Sequence, residues 1–367
     1  MKKIISIICP LYKGQKYVEK IVGMIEKNIE AIRATHEVEL VFVNDFPEQE
    51  IELPVSRKLH RLRLITNQKN VGIHKSRVNG LAASRGEYVL FLDQDDEIAF
   101  NYLQSQIEKI ENADAVVCNG IWRKSKKIYD AIEQQKEVVC HRKIFPYIVS
   151  PGQVLIKKNA VPIEWTENFL EHNGCDDALL WNLMLTYKKR FSCNNECLYV
   201  HVEENENASC NYREMLNSLQ DCFNIFERLR PQVVDSEYIE IRNKKIRTYQ
   251  SYVRLTELLA LAEKNKEKII ANLEIEATGK IAIYGYGYFG QRLHAFLQAN
   301  FIDIAYVVDK DKSKYLSVED VLIFEPTEDL PQCDLMIVTP IFEYEAIRKG
   351  LERKILGKIQ PMDVILQ

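Results

Sequence analysis

The sequence predicts an α/β protein built in two parts that are joined by a helical stretch. Three observations carry this reading. Short, wholly apolar strand-like runs alternate with amphipathic helical patterns from residue 3 to about 118. Between about 212 and 275 the composition turns helical and charged. A second strand, glycine-rich turn and helix then begin at Lys280. A chain of 367 residues exceeds one ordinary domain, in keeping with this division.

Taken in order, residues 4–9, 38–43, 62–65, 88–92 and 115–118 read as strands. The first helix carries Val18, Ile21, Val22, Ile25, Ile29 and Ile32 on one face, and the second covers 73–84. Uninterrupted apolar strands separated by such helices imply a mostly parallel sheet covered on both sides. Ligands of such sheets bind beyond the carboxyl ends of the strands, where Pro10-Leu11-Tyr12, Asn44-Asp45 and the acidic residues after Leu92 cluster. Residues 119–210 are less regular, with strands at 153–157 and 197–202 and a helix at 177–187. The expected division is a first domain over 1–210, a connector of two or three helices over 211–278, and a second α/β domain over 279–367. In that domain strands are expected at 281–284, 304–308 and 335–338, helices at 291–300 and 343–353, and a last strand at 364–366.

Composition removes several function classes. Forty-nine basic against 53 acidic residues leave a formal net charge of −4, so no basic excess exists to neutralise nucleic-acid phosphates. The apolar run after Met1-Lys2-Lys3 ends at Cys9-Pro10 without a small-residue cleavage site and reads as a buried first strand. No segment approaches the roughly 20 apolar residues of a membrane span. A cytoplasmic protein is expected, with peripheral association at the inner membrane face left open. The nine cysteines show no zinc-site spacing and are expected to be reduced thiols.

Phe91-Leu92-Asp93-Gln94-Asp95-Asp96 places three carboxylates within four residues after an apolar strand. Such packing is unfavourable unless a cation or solvent offsets the repulsion. Hard oxygen ligands suit Mg²⁺ or Mn²⁺, which bind one or two carboxylates together with substrate phosphates. A solvated acidic turn is the competing reading of these residues alone.

Four blocks around this cluster resemble the inverting GT-A glycosyltransferases known as family 2. They are Ile7-Ile8-Cys9-Pro10-Leu11-Tyr12-Lys13-Gly14; Glu39-Leu40-Val41-Phe42-Val43-Asn44-Asp45; the run from Asn70-Val71-Gly72 through Arg77, Asn79-Gly80 and Ala83 to Gly86-Glu87-Tyr88; and the acidic cluster itself, similar to the family's D-x-D signature. The resemblance implies a GT-A fold, the one that handles nucleotide-diphospho-sugars. It implies that Pro10 and Tyr12 line the donor site and that Asp45 accepts a hydrogen bond from the base, with uracil expected. Arg77 would lie by the diphosphate, Asp95 would ligate the metal, and Asp93 would touch the ribose or share the metal. Where the family continues with glycine and serine, this chain has Phe46-Pro47. Asn173-Gly174-Cys175-Asp176-Asp177 resembles the family's later acidic pair. The general base is assigned to Asp177, with Asp176, read as a helix N-cap, kept as the alternative. Gln153 is expected to line the acceptor side. His201 and the three tryptophans are read as packing residues. The activity implied is metal-assisted, inverting transfer from a nucleotide-sugar, a UDP-sugar by expectation, to a glycan or lipid-linked hydroxyl in surface polysaccharide synthesis.

Gly285-x-Gly287-x-x-Gly290 follows a strand, opens a helix and is followed about 20 residues later by Asp309, the order of a dinucleotide fingerprint. The residues remaining suffice for one Rossmann-like half. A structural module, a nucleotide site and an NAD(P)-dependent sugar oxidoreductase all stay open for this domain. A non-catalytic scaffold that binds sugar-nucleotides stays open for the whole.

Overall fold

The computed structural model describes residues 2–122, 126–129, 146–202, 211–276, 279–310, 312 and 321–367. They divide into two units, Met1–Arg242 and Asn243–Gln367. Elements of the first unit are β1 (Lys3–Leu11), α1 (Gln15–Ile32), β2 (His36–Asn44), β3 (Arg61–Thr66), α2 (Ile73–Ala83), β4 (Tyr88–Phe91), β5 (Glu97–Ile98), α3 (Tyr102–Ile110), β6 (Ala115–Trp122), β7 (Lys126–Lys127), β8 (Val154–Lys157), α4 (Ile163–Glu167), α5 (Asp176–Thr186), β9 (Phe191–His201) and α6 (Tyr212–Leu229).

Their strands form one mixed sheet in the order β3-β2-β1-β4-β8-β6-β9-β5, with β7 paired to β6. The β3-β2-β1-β4 half is parallel, and β8 runs antiparallel between β4 and β6. Burial explains the uninterrupted apolar runs: Ile5, Ile7, Ile8, Leu40, Val41, Phe42, Val43, Val89, Leu90 and Phe91 are all fully buried. The predicted face of α1 is the buried one. Register places Leu11 beside Asn44, Asn44 beside Thr66 and Ile8 beside Phe91. The loops carrying Tyr12, Asp45, Asn67 and Asp93 therefore emerge at one edge of the sheet. This is the mixed α/β class expected of a GT-A transferase.

Three helices follow residue 211, as the helical pattern suggests. α6 belongs to the first unit, α7 (Ser236–Ala262) begins in the first and ends in the second, and α8 (Lys266–Glu276) belongs to the second. The apolar stripe Leu219, Cys222, Phe223 and Phe226 of α6 is buried, and the Phe226 ring stacks on Tyr238.

The second unit continues with β10 (Ile281–Tyr284), α9 (Tyr288–Ala299), β11 (Ile304–Val308), β12 (Ile323–Phe324), β13 (Leu335–Val338), α10 (Tyr344–Leu351), β14 (Lys358–Pro361) and α11 (Met362–Ile365). Its five strands are parallel in the order β12-β11-β10-β13-β14. The last strand lies before the expected position, and the apolar run at 364–366 belongs to a helical turn and its end. Three apolar residues cannot distinguish helix from strand. A second departure concerns the thiols: Cys193 is disulfide-bonded, whereas Cys9, Cys118, Cys175, Cys197, Cys222 and Cys333 carry thiols. Spacing along a chain does not reveal which sulfurs the fold brings together.

Candidate active site

Asp45 follows β2 and is buried, and its carboxylate is occupied by its own protein. Oδ1 accepts from Asn67 Nδ2 at 2.9 Å and from the Val71 amide at 2.8 Å, while Oδ2 accepts from the Gly72 amide at 2.9 Å. Asp45, expected to meet the donor base, thus holds the 67–72 loop against the sheet edge. Gly72 has φ +86°, and a Cβ there would lie 2.8 Å from Asn173 Oδ1, so the site requires glycine. Beside this loop Tyr12 is 47% exposed and meets Phe46 edge to face at 5.3 Å, with Lys13 Nζ above both rings. Gln94 holds the Tyr12 backbone from both sides, accepting from its amide at 3.0 Å and donating to its carbonyl at 3.2 Å. Pro10, expected to line the donor site, is buried within β1.

Arg77 on α2 is buried between two carboxylates. One nitrogen meets Asp93 Oδ1 at 2.5 Å, and the other meets Asp176 Oδ2 at 2.7 Å. Burial opposes the guanidinium charge, but Asp176 and Asp93 more than offset it and raise the Arg77 pKa. Arg77, expected to lie by the diphosphate, is a buried, doubly paired guanidinium that tethers the acidic cluster to the Asp176-Asp177 turn. Desolvation raises the Asp93 pKa, and Arg77 counters it.

Asp96 is buried and tied to β9. It accepts from Tyr199 Oη, from Ser150 Oγ at 3.3 Å and from the Val202 amide at 3.1 Å. His201, assigned only a packing role from sequence, lies with Nδ1 at 3.0 Å from Tyr199 Oη and 3.4 Å from Asp96 Oδ1. Strand alternation in Leu198-Tyr199-Val200-His201 already places Tyr199 and His201 on one face, which was the available signal. Among the described residues no ion pair engages Asp95, and its carboxyl is pushed up to about 7 by burial and by the charges of Asp96 and Asp93. No group of three or more His, Cys, Asp or Glu among the described residues could by itself hold a metal. A hard divalent cation bound through Asp95, shared with Asp93 and completed by substrate phosphates, nevertheless fits this donor set, because it offsets the repulsion that raises Asp95.

The acidic pair opens α5. Its N-cap is Cys175, with no side-chain cap, so Asp176 does not cap the helix as expected. Asp176 is 1% exposed, paired to Arg77, and leaves Oδ1 without a hydrogen-bond partner. Asp177 is half-buried, and its Oδ1 accepts from the Ala178 amide at 2.7 Å. Desolvation first, then the charge of Asp176, push its carboxyl up to about 7, with Asp93 adding to the shift. Asp177 therefore senses the acidic cluster and is the more accessible member of the pair. Gln153, expected on the acceptor side, is fully buried: its amide donates to the Cys118 carbonyl at 2.9 Å and accepts from the Val149 amide at 2.9 Å. It holds the turn before β8.

In the second unit, Gly285 has φ +87° and packs on Thr339 and Pro340, and Gly290 sits against the Gly285 carbonyl. A Cβ at Gly287 would meet nothing within 4 Å. Asp309 accepts from the Tyr286 amide at 2.7 Å, bracing the glycine turn from β11. The ring of Tyr252 on α7 lies 5.4 Å from that of Phe289, at the start of α9.

Residues 6–170 match the model of Glycosyl transferase family 2. The chain is 29% identical over 130 residues to the "Uncharacterized glycosyltransferase EpsJ" of Bacillus subtilis, covering 34% of this chain and 36% of EpsJ. It is 32% identical over 120 residues to glycosyltransferase GlyA of Streptococcus pneumoniae, covering 32% of this chain and 16% of GlyA. The chain thus spans little more than a third of EpsJ and less of GlyA. Among solved structures, S. aureus TarS 1-349 in complex with UDP-GlcNAc aligns at 16% identity and TM-score 0.45, over 69% of this chain and 81% of that one. Mannosyltransferase PcManGT from Pyrobaculum calidifontis, in complex with GDP-Man and Mn²⁺, aligns at 16% identity and TM-score 0.45, over 72% and 76%.

Proposed function

We propose that the first unit transfers a sugar from a nucleotide-diphosphate donor to an acceptor hydroxyl with inversion, assisted by a divalent metal. The observation that carries this reading is Asp177. It is a half-buried carboxyl pushed up to about 7, at the start of a helix, tethered through Asp176 and Arg77 to the acidic cluster of a family 2 domain. A base poised near neutral pH combines the correct protonation state with a useful driving force. Asp177 takes the proton from the acceptor hydroxyl as that oxygen attacks the anomeric carbon, while the nucleoside diphosphate leaves from the opposite face. Asp95, with Asp93, would hold the metal, which when bound acts as a Lewis acid toward the leaving diphosphate. Gln94 fixes the Tyr12 loop, and the exposed Tyr12–Phe46 pair offers an aromatic surface for the donor base.

The donor is expected to be a UDP-sugar and the acceptor a glycan or lipid-linked hydroxyl in polysaccharide synthesis, at the cytoplasmic side of a membrane. Among the described residues no helix is long and apolar enough to cross a membrane. We read the second unit, 279–367 with its preceding helices, as a structural module. Asp309, the residue a dinucleotide ribose would require, already braces the glycine turn. A panel of UDP-, GDP- and dTDP-sugars with Mn²⁺, scored by nucleotide released and by NMR of the product anomer, tests the reading. Binding without release would identify a scaffold, and a retained anomeric configuration would overturn inversion.

A further inference from the structure

The loop that leads into Asp176-Asp177, residues 168–175, has no regular structure, yet the amides of Leu170, Glu171, His172, Asn173 and Cys175 all donate to side chains. Asp221 Oδ2 accepts from the Glu171 amide at 3.0 Å, the His172 amide at 2.9 Å and His172 Nδ1 at 2.9 Å. Glu214 accepts from the Asn173 amide at 3.1 Å. Ser218 Oγ accepts from the Cys175 amide at 2.9 Å and donates to the His172 carbonyl at 3.0 Å. Gly174, at φ +134°, passes so close to Met215 that a Cβ would lie 2.4 Å from its sulfur.

Glu214, Ser218 and Asp221 are spaced i, i+4 and i+7 on α6, so they form one polar stripe beside the buried apolar stripe that fixes the helix. The other side of the loop is held by α2. His74 Nδ1 accepts from the Leu170 amide at 3.3 Å, and Asn173 Oδ1 accepts from the Ile73 amide at 2.9 Å. The matched family segment ends at residue 170, so residues 171–175 and α6 lie beyond it.

We propose that α6 is the positioning element of the acceptor half of the site, and that Asp221, supported by Ser218 and Glu214, sets the placement of the Asp177 carboxylate through the 171–175 loop. This inference rests on the assignment of Asp177 as base. Asp177 stands in the first turn of α5, and the loop that delivers that turn has no ladder of its own, so a packed helix that fixes the loop also fixes where the turn, and its carboxylate, begins. Asp221 touches no reacting group, so its effect falls on the chemical step and leaves donor binding alone. The Asp221 hydrogen bond also raises the His172 pKa, which favours the imidazolium that completes the pair.

The test compares Asp221→Ala, Asp221→Asn and Ser218→Ala with Glu227→Gln. The last lies on the same helix and loses only contacts to Tyr238 and Arg242. In Asp221→Ala, kcat is expected to fall about tenfold to a hundredfold with the donor KM unchanged within about twofold. Amide exchange of 171–175 is expected to accelerate by a similar factor. Glu227→Gln should change neither. Asp177→Asn is measured in parallel. If it is inactive while the Asp221 and Ser218 variants keep wild-type kcat and exchange, the positioning proposal alone is overturned. If Asp177→Asn turns over normally, the choice of base falls and the proposal with it. Equal loss of kcat and donor affinity across all α6 variants, Glu227→Gln included, would reduce α6 to a general stabiliser. Should Asp221→Ala fail to fold, Asp221→Asn and Ser218→Ala decide by the same criteria.

Discussion

Arg77 joins Asp93 to Asp176, at 2.5 and 2.7 Å, and so connects two acidic segments 83 positions apart in the chain. One carries the candidate metal carboxylate and the other the candidate base. Their common partner is buried, and removing it would leave two carboxylates without their counter-charge.

Arg77→Ala should therefore destabilise the first unit by about 3–5 kcal/mol. Urea unfolding of the variant checks this, and a loss below about 1 kcal/mol would mean that solvent already compensates the carboxylates. Arg77→Lys should recover little of the loss, since one ammonium cannot span both partners in the same geometry.

Asp177→Asn should lower turnover by about a hundredfold or more while donor affinity by calorimetry stays near wild type. Wild-type turnover would move the base elsewhere.

The raised Asp177 pKa has two opposite consequences with pH. Activity requires the carboxylate, so kcat should rise as pH passes through about 7. Stability runs the other way. A folded pKa above the unfolded value of 3.8 gives a contribution that is complete below 3.8 and is lost as pH rises through about 7. Asp177→Asn should remove that loss, so its melting temperature relative to wild type should climb between pH 4 and pH 8. A constant difference across that range would contradict the shift.

Asp95→Asn should abolish the Mn²⁺-dependent part of donor binding, and chelation should do the same to the wild-type protein. Isothermal calorimetry with and without metal reads both, and equal donor affinity in all four samples would remove the metal from the site.

Tyr12→Ala should raise the donor KM by about tenfold without affecting stability, because the ring is exposed and meets Phe46 edge to face. Asp45→Ala should differ, lowering both melting temperature and donor affinity as the 67–72 loop loses its three hydrogen bonds. Similar stability profiles for the two variants would argue against their separate roles.

Much of the fold was legible because apolar periodicity reports burial directly. The four parallel strands of the first sheet, the buried face of α1 and three strands of the second unit lie within a few residues of where the pattern puts them. The short strands β5, β7 and β12 were not legible, since two-residue pairings leave no periodic trace. Among site residues, the acidic cluster and the Asp176-Asp177 turn stood out as segments. Their individual roles did not, because a carboxylate's role depends on which donors reach it.

The sequence by itself determined the α/β class and the order of the acidic segments along the chain. These follow from local periodicity and from residue types fixed in order along the chain. Only the tertiary structure decided that Asp45 and Asp96 brace loops, that Arg77 is an internal tether, that Gln153 is core, and that α6 supports the loop before Asp177. Each of these depends on burial and on hydrogen-bond partners tens of residues away, and such partners meet only when the chain is folded.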